Sequence, residues 1–310
     1  MDSACTPRCS VDRGLGSRLM MHKNEVHIDV SLVRRLLARQ FPGWADLPLR
    51  MVQSAGTNNT ICRLGDDMAV RLPRIADAVE QVEFEHHWLP RLAPLLPAGV
   101  PEPIALGRPG EGYPFPWAVG RWIDGVHPTG EERDGDRFAK DLGEFVAAMR
   151  MADATGVRQG YRGGSLHTRD AYVREWTAKA EDVINARAVL AAWEQALDQP
   201  SWDGPPVWTH GDLIPGNVLL AGNGLHAVID FGAAGAGDPA CDAIAAWTLL
   251  TAKTRQIFRE SAGFDDATWA RGRGWALTFV GGISYYRDTN PVMAELGRRA
   301  IAEVLAEPPG

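Results

Sequence analysis

Three oxygen-bearing side chains stand in two short motifs. Asp212 and Asn217 lie in His210-Gly211-Asp212-Leu213-Ile214-Pro215-Gly216-Asn217, and Asp230 lies in Val228-Ile229-Asp230-Phe231-Gly232. Two carboxylates and an amide on sharply turned segments suit the movement of a phosphoryl group. That chemistry needs an anion to orient a hydroxyl and take its proton, and hard oxygen ligands for the Mg²⁺ that neutralises nucleotide phosphates. Asp212 fits the first role; Asn217 and Asp230 fit the second. The competing explanation is an exposed hairpin with ordinary turn residues, since Asp and Asn are common there. A simple turn does not call for both motifs at this separation.

The residues between the motifs must hold them together. Val218-Leu219-Leu220 reads as a strand, Ala227-Val228-Ile229 as its partner, and Ala221-Gly222-Asn223-Gly224 as the turn, so both metal-ligand candidates flank one hairpin. Upstream, Asp29 caps a helix with Leu32, Val33, Leu36 and Leu37 on its apolar face. Strands are expected near 49–54, 59–65 and 68–72. The first two are joined by Ser54-Ala55-Gly56-Thr57-Asn58-Asn59, whose glycine, amides and hydroxyls can cradle a phosphate or simply form a hairpin turn.

In Met68-Ala69-Val70-Arg71-Leu72 alternation sets Arg71 on the face opposite Val70 and Leu72. A helix over 77–93 carries Glu80, Glu83 and Glu85. A basic strand residue paired with a helix glutamate would hold the α and β phosphates while being held itself. Glu85 is the best partner and Glu83 its rival, against the alternative of a solvated acidic helix face. Further strands are expected at 104–107 and 117–121. Trp122-Ile123-Asp124-Gly125 then leaves the sheet, offering backbone groups to a flat base at a lobe boundary near Asp124. Beyond it the pattern is mainly helical: 136–152, 170–181, 184–198, 239–252, 266–280 and 291–306. Asp238 and Pro239 suit a helix start. Trp176, Trp193, Trp247, Trp269 and Trp275 fall at helical positions and read as core.

At 310 residues and 45% hydrophobic content the chain can build two lobes with separate cores. Thirty-two basic against 39 acidic residues give a net charge of -7, which disfavours a nucleic-acid partner and is compatible with a cationic one. Cys5, Cys9, Cys62 and Cys241 show no metal-binding spacing and read as thiols in a reducing compartment. No apolar run approaches membrane-spanning length, so no membrane partner and a cytoplasmic location are expected. Residues 1–24 read as a disordered leader, and Met20 or Met21 offers an alternative start.

Assembled, HGDLIPGN at 210–217, VIDFG at 228–232 and GDPACD at 237–242 resemble the aminoglycoside phosphotransferase and choline kinase group of small-molecule kinases. The likeness runs from about residue 27 to 307. It implies an α+β, bilobal protein-kinase-like fold, with a small β-rich nucleotide-binding lobe over 25–123 and a larger helical catalytic and acceptor lobe over 124–310. It implies transfer of the γ-phosphoryl of ATP or GTP to a hydroxyl. Asp212 then becomes the base, Asn217 and Asp230 the Mg²⁺ ligands, His210 an organiser of the loop, and Asp242 its support. Arg71 with Glu85 would hold phosphates beneath Ser54, Gly56, Thr57, Asn58 and Asn59. Backbone at Arg121 and Ile123 would meet the base.

Two positions depart from the group's usual pattern. Arg71 stands where lysine is commoner and presents a planar fork in place of a point charge. Gly120 stands where a larger side chain is usual, which implies a more open pocket behind the base. The acceptor stays open among an aminoglycoside or other antibiotic and a small metabolite such as an amino alcohol, sugar or nucleoside. Glu181, Asp182, Asp265 and Asp266 are the carboxylates that could draw a polyamine. The short run from Gly232 to Asp238 leaves little platform for a peptide. A silent nucleotide-binding module and a phosphohydrolase are the alternatives. A monomer suffices for the site, and oligomeric state is left open.

Overall fold

The computed structural model describes residues 24–52, 56 and 58–307. The leader before Asn24 lies outside the described residues, as do Ser54 and Thr57 of the expected phosphate loop. Two cores form, one beneath a sheet and one within a helical body.

The small lobe begins with helix α1 (Val30–Gln40), capped by Asp29, which accepts from the Leu32 N–H at 2.7 Å. Its buried Leu32, Val33, Leu36 and Leu37 pack against the sheet, as their spacing predicts. Strands β1 (Leu49–Met51), β2 (Asn59–Leu64) and β3 (Met68–Pro73) follow, then helix α2 (Val79–Leu92), β4 (Pro103–Gly107) and β5 (Trp117–Arg121). They form one antiparallel sheet in the order β1-β2-β3-β5-β4. Alternation holds along β3: Met68, Val70 and Leu72 enter the core, and Arg71 faces the other way. Helix α2 behaves differently from α1. Its Phe84, Leu89 and Leu92 belong to the core of the large lobe, where Phe84 and Trp88 pack on Trp208.

The large lobe contains α3 (Asp136–Met151), α4 (Asp170–Lys179), α5 (Ala186–Leu197) and β6 (Val207–Thr209). The hairpin β7 (Val218–Ala221) and β8 (Gly224–Val228) comes next, then β9 (Gly235–Gly237), which pairs with β6. Helices α6 (Ala245–Thr248), α7 (Arg255–Ala262), α8 (Asp266–Leu277), α9 (Val280–Tyr285) and α10 (Pro291–Ala306) complete it. The fold is therefore the bilobal, kinase-like α+β arrangement.

Three expected elements differ. The strand over 49–54 ends at Met51. The helix over 239–252 is a 3-10 segment, Pro239–Ile244, followed only by α6. Side chains capture the carbonyls that a longer helix would use: Arg299 donates to the Thr248 carbonyl and Arg133 to those of Leu249 and Leu250, while the one Thr248 hydroxyl proton lies between the Leu213 and Ile244 carbonyls. The helix over 266–280 breaks at Thr278, whose hydroxyl bonds back to the Trp275 carbonyl ahead of the glycine pair Gly281-Gly282. No helix among the described residues is long and apolar enough to cross a membrane.

Candidate active site

Strand β6 delivers His210 to a turn that only a glycine makes easily. Gly211 has φ +73°, in the left-handed region, and a Cβ there would lie 3.2 Å from the Ala233 carbonyl oxygen. The turn is held from below by Asp242, whose two oxygens accept the backbone N–H groups of His210 at 2.9 Å and Gly211 at 2.7 Å. Burial pushes the Asp242 carboxyl upward, against the pull of the nearby His210 and of those two N–H groups. His210 is fully buried. Its Nδ1 lies 3.2 Å from the Asp212 N–H and its Nε2 lies 3.1 Å from the Ile229 carbonyl, so a neutral ring protonated at Nε2 satisfies both contacts. Both ring nitrogens are thus used in shaping the loop, which leaves His210 no lone pair for a substrate proton.

Asp212 and Asn217 meet directly. The Asn217 Nδ2 donates to the Asp212 carbonyl at 2.9 Å and to its Oδ2 at 3.0 Å, leaving the amide oxygen as the atom available to a metal. The Ile229 N–H donates to the Asn217 carbonyl at 2.8 Å, which brings the next residue, Asp230, beside the loop. Asp230 has φ 61°, a left-handed conformation that costs a non-glycine residue about 1 kcal/mol or more. Its carboxylate is 42% exposed, open to the cleft.

Arg71 closes the arrangement from the small lobe. It is hydrogen-bonded to Glu85 and donates to Asp230 Oδ1 at 2.8 Å. With its amide oxygen turned inward, Asn59 also accepts from Arg71 Nη2 at 2.9 Å and Nε at 3.2 Å. Burial opposes the charge on Arg71, but the Glu85 and Asp230 carboxylates outweigh it and hold the guanidinium firmly protonated. Burial pushes Glu85 upward while Arg71 pulls it down. Glu85, not Glu83, is the partner; Glu83 is exposed.

The remaining nucleotide-binding candidates fare unevenly. Asn59 opens strand β2 and faces Arg71, while the Asn58 carbonyl accepts the Arg74 N–H at 2.8 Å. Gly56 lies between β1 and β2, outside both. At the exit from the sheet the Arg121 N–H donates to Glu102 and the Trp122 N–H to Asp67, both at 2.8 Å, whereas the Ile123 N–H enters no such bond. The Arg121 N–H is thus taken up within the fold, while the Ile123 N–H has no backbone partner among the described residues. Gly120 also has a local setting: a Cβ there would lie 3.1 Å from the Glu102 carbonyl oxygen, a tight approach to the chain entering β4.

Sequence reasoning missed Arg162. It donates through Nη1 to Asp212 Oδ1 at 2.9 Å and to the Gly211 carbonyl at 2.5 Å. The only signal was a basic residue in the glycine-rich run Gln159-Gly160-Tyr161-Arg162-Gly163-Gly164, with nothing to tie it to residue 212. A cavity of about 400 Å³ bordered by His167, Trp202, Asp238 and Arg271 adjoins the other end of the β6–β9 ladder, near Pro206 and Gly237. It does not contain the acidic cluster.

With this geometry in place, comparison with known proteins is informative. The phosphotransferase enzyme family matches residues 52–275, and the chain belongs to that family. No curated protein matches it. Among solved structures, it is similar to the GDP and kanamycin complex of APH(2")-IIia, at 19% identity and TM-score 0.68, covering 88% of this chain and 98% of that one. It is also similar to macrolide 2'-phosphotransferase MphH from Brachybacterium faecium, at 24% identity and TM-score 0.57, covering 88% and 97%. At these identities the likeness concerns the fold.

Proposed function

We propose that this protein transfers the γ-phosphoryl group of ATP or GTP to a hydroxyl of a small molecule, with Mg²⁺. The observation that carries the reading is the direct Asp212–Asn217 contact at 3.0 Å beside Asp230, which is itself tied to Arg71 at 2.8 Å. A base, two oxygen ligands and a phosphate anchor thus share one cleft.

The donor set fits magnesium. Among the described residues no group of three or more His, Cys, Asp or Glu could hold a metal by itself. Mg²⁺ commonly takes one or two protein oxygens and fills its shell with phosphates and water. The Asn217 amide oxygen and the Asp230 carboxylate would hold such an ion, which supplies charge neutralisation at the phosphates. The chain's own residues do the rest. Arg71 binds phosphate oxygens, the Ile123 N–H meets the base, and Asp212 orients the acceptor hydroxyl and takes its proton late in transfer.

For the acceptor, a ring-bearing alcohol is favoured over a polyamine. Of the four carboxylates that could attract a polycation, Asp182 pairs with Arg287, Asp265 accepts the Thr268 N–H and Asp266 pairs with Arg259, while Glu181 is exposed. Arg162 contacts Asp212 and stacks near the exposed Tyr161, which Arg169 covers in turn, and α4 and α9 add Tyr172, Trp176 and Tyr285 in ring contact. Aromatic faces flanked by guanidinium groups suit a flat or apolar acceptor with little positive charge.

The test is phosphate transfer from Mg-ATP and Mg-GTP over a panel of macrolides, aminoglycosides, nucleosides and amino alcohols. Asp212→Asn is expected to lower turnover roughly 10²-fold or more while the fold is kept. Undiminished transfer by that variant would overturn the assignment.

A further inference from the structure

The catalytic loop contains no cation between Asp212 and Asn217; its intervening residues are Leu213, Ile214, Pro215 and Gly216. One arrives from elsewhere. Resting on the phosphotransferase reading, we propose that Arg162 is a positioning residue for the transfer step, holding the Asp212 carboxylate in the orientation that receives the acceptor proton.

Four observations carry this. First, Arg162 and Asn217 divide the base between them. Arg162 Nη1 takes Oδ1 at 2.9 Å and Asn217 Nδ2 takes Oδ2 at 3.0 Å, so the carboxylate is fixed at both oxygens and each keeps a lone pair. Second, the same Nη1 donates to the Gly211 carbonyl at 2.5 Å, so one nitrogen ties the side chain of the base to the backbone just ahead of it. Third, the guanidinium is itself confined. It lies 5.0 Å from the Phe279 ring and 5.3 Å from the Tyr161 ring, and the side chain is 13% exposed. A stacked, planar cation is pre-organised, and it loses little freedom on binding the carboxylate.

The fourth observation concerns how the segment gets there. Residues 158–164 lie against β9, with Gln159 bridged in parallel to Ala236, the Gly160 N–H bonded to the Ala236 carbonyl, and the Asp238 N–H bonded to the Gly163 carbonyl. The approach is backbone on backbone: a Cβ on Gly237 would stand 2.3 Å from the Gly163 Cα and carbonyl oxygen. Tyr161 N–H then bonds the Ala233 carbonyl at 3.0 Å, the carbonyl next to which the Gly211 turn also sits. The chain that carries Arg162 is thereby registered on the piece of backbone that follows Asp230.

The role makes a quantitative demand. Small misplacement of a reacting group costs large factors in rate, so freeing the carboxylate from one of its two holds is expected to lower turnover about 10- to 100-fold. Because a single nitrogen makes both bonds, a lysine ammonium, with three donors, can replace it in part even though it loses the ring stacking.

The experiment is a double-mutant cycle that needs no knowledge of the acceptor. Phosphate release to water from Mg-ATP and Mg-GTP is measured for wild type, Arg162→Met, Asp212→Asn and the double variant, with Arg162→Lys alongside. We expect R162M to lower kcat about 10- to 100-fold with little change in nucleotide KM, to have no further effect once Asp212 is asparagine, and the loss to be partly restored in R162K. Equal losses from R162M in both backgrounds, or a loss seen only as raised KM, would show a structural role and overturn the proposal. Unchanged kcat in R162M alongside a deficient D212N would also overturn it and leave the kinase reading standing. Full activity in D212N would remove the kinase reading, and this proposal with it.

Discussion

Replacing Glu85 separates charge from shape at the phosphate anchor. Arg71 is held by two carboxylates, Glu85 with a side chain only 9% exposed and Asp230 at 42%. Removing one member of a fully buried ion pair costs about 3–5 kcal/mol because the other charge is left unsolvated. Here Asp230 remains at 2.8 Å and part of the site is wet, so Glu85→Ala is expected to cost less than that, about 2–3 kcal/mol. Glu85→Gln keeps the volume and an accepting oxygen and loses the charge. The difference between a charge-assisted and a neutral hydrogen bond is about 1 kcal/mol, and the glutamine variant should lose about that much. Freed from Glu85, Arg71 keeps the Asn59 amide oxygen but has Asp230 as its one remaining carboxylate, so the anchor and the proposed metal ligand neutralise each other. Mg-ATP affinity in Glu85→Ala should then fall about tenfold, equivalent to about 1.4 kcal/mol. Urea titration gives the stabilities and calorimetric titration the affinity. Indistinguishable alanine and glutamine variants would refute the claim that charge pairing holds Arg71, and unaltered affinity in both would refute its role at the phosphates.

Other perturbations test neighbouring parts. Gly211→Ala should cost about 1–2 kcal/mol from its φ of +73°, seen in thermal unfolding, and should lower kcat more than KM because the turn aims Asp212. Arg271→Leu leaves the buried Asp238 carboxylate without its two-point partner, at 2.8 and 3.1 Å, and should destabilise by about 3–5 kcal/mol in urea titration. Asp265 caps α8, and its carboxyl is held below the ordinary 3.8 chiefly by the Thr268 N–H and hydroxyl. A depressed carboxyl stabilises the fold above its unfolded value, and that stability disappears as pH falls through the folded value. Asp265→Ala should therefore be less stable than wild type by about 1 kcal/mol at pH 7, with the gap closing below about pH 4.

Strong periodicity and local motifs made much of this molecule legible. The α1 face, the alternation around Arg71 and the span of α10 all follow from residue spacing that packing then reinforces. The Arg71–Glu85 pair and the Asp212–Asn217 contact were legible because each is a chemical requirement expressed within a few residues of a recognisable element. What escaped was non-local or weakly patterned. Strand β9 reads Gly-Ala-Gly, which has no strand preference; it pairs with β6, and its glycines let segment 158–164 lie against its other side. Helix α7 has eight residues and buries only Arg255, Phe258 and Ala262, too short a stripe to announce itself. Arg162 is fifty residues from the base it holds, and no pattern along the chain expresses that distance. The engaged Arg121 N–H depends on a carbonyl from Glu102 that only the folded sheet brings near.

Helix α2 stands between the two bodies: its Phe84, Leu89 and Leu92 belong to the core of the large lobe, and it also packs against β4 and β5 of the sheet. The Glu85–Arg71 link lies where those two attachments meet, so any shift of α2 on either body is passed directly to the guanidinium that Asp230 also holds.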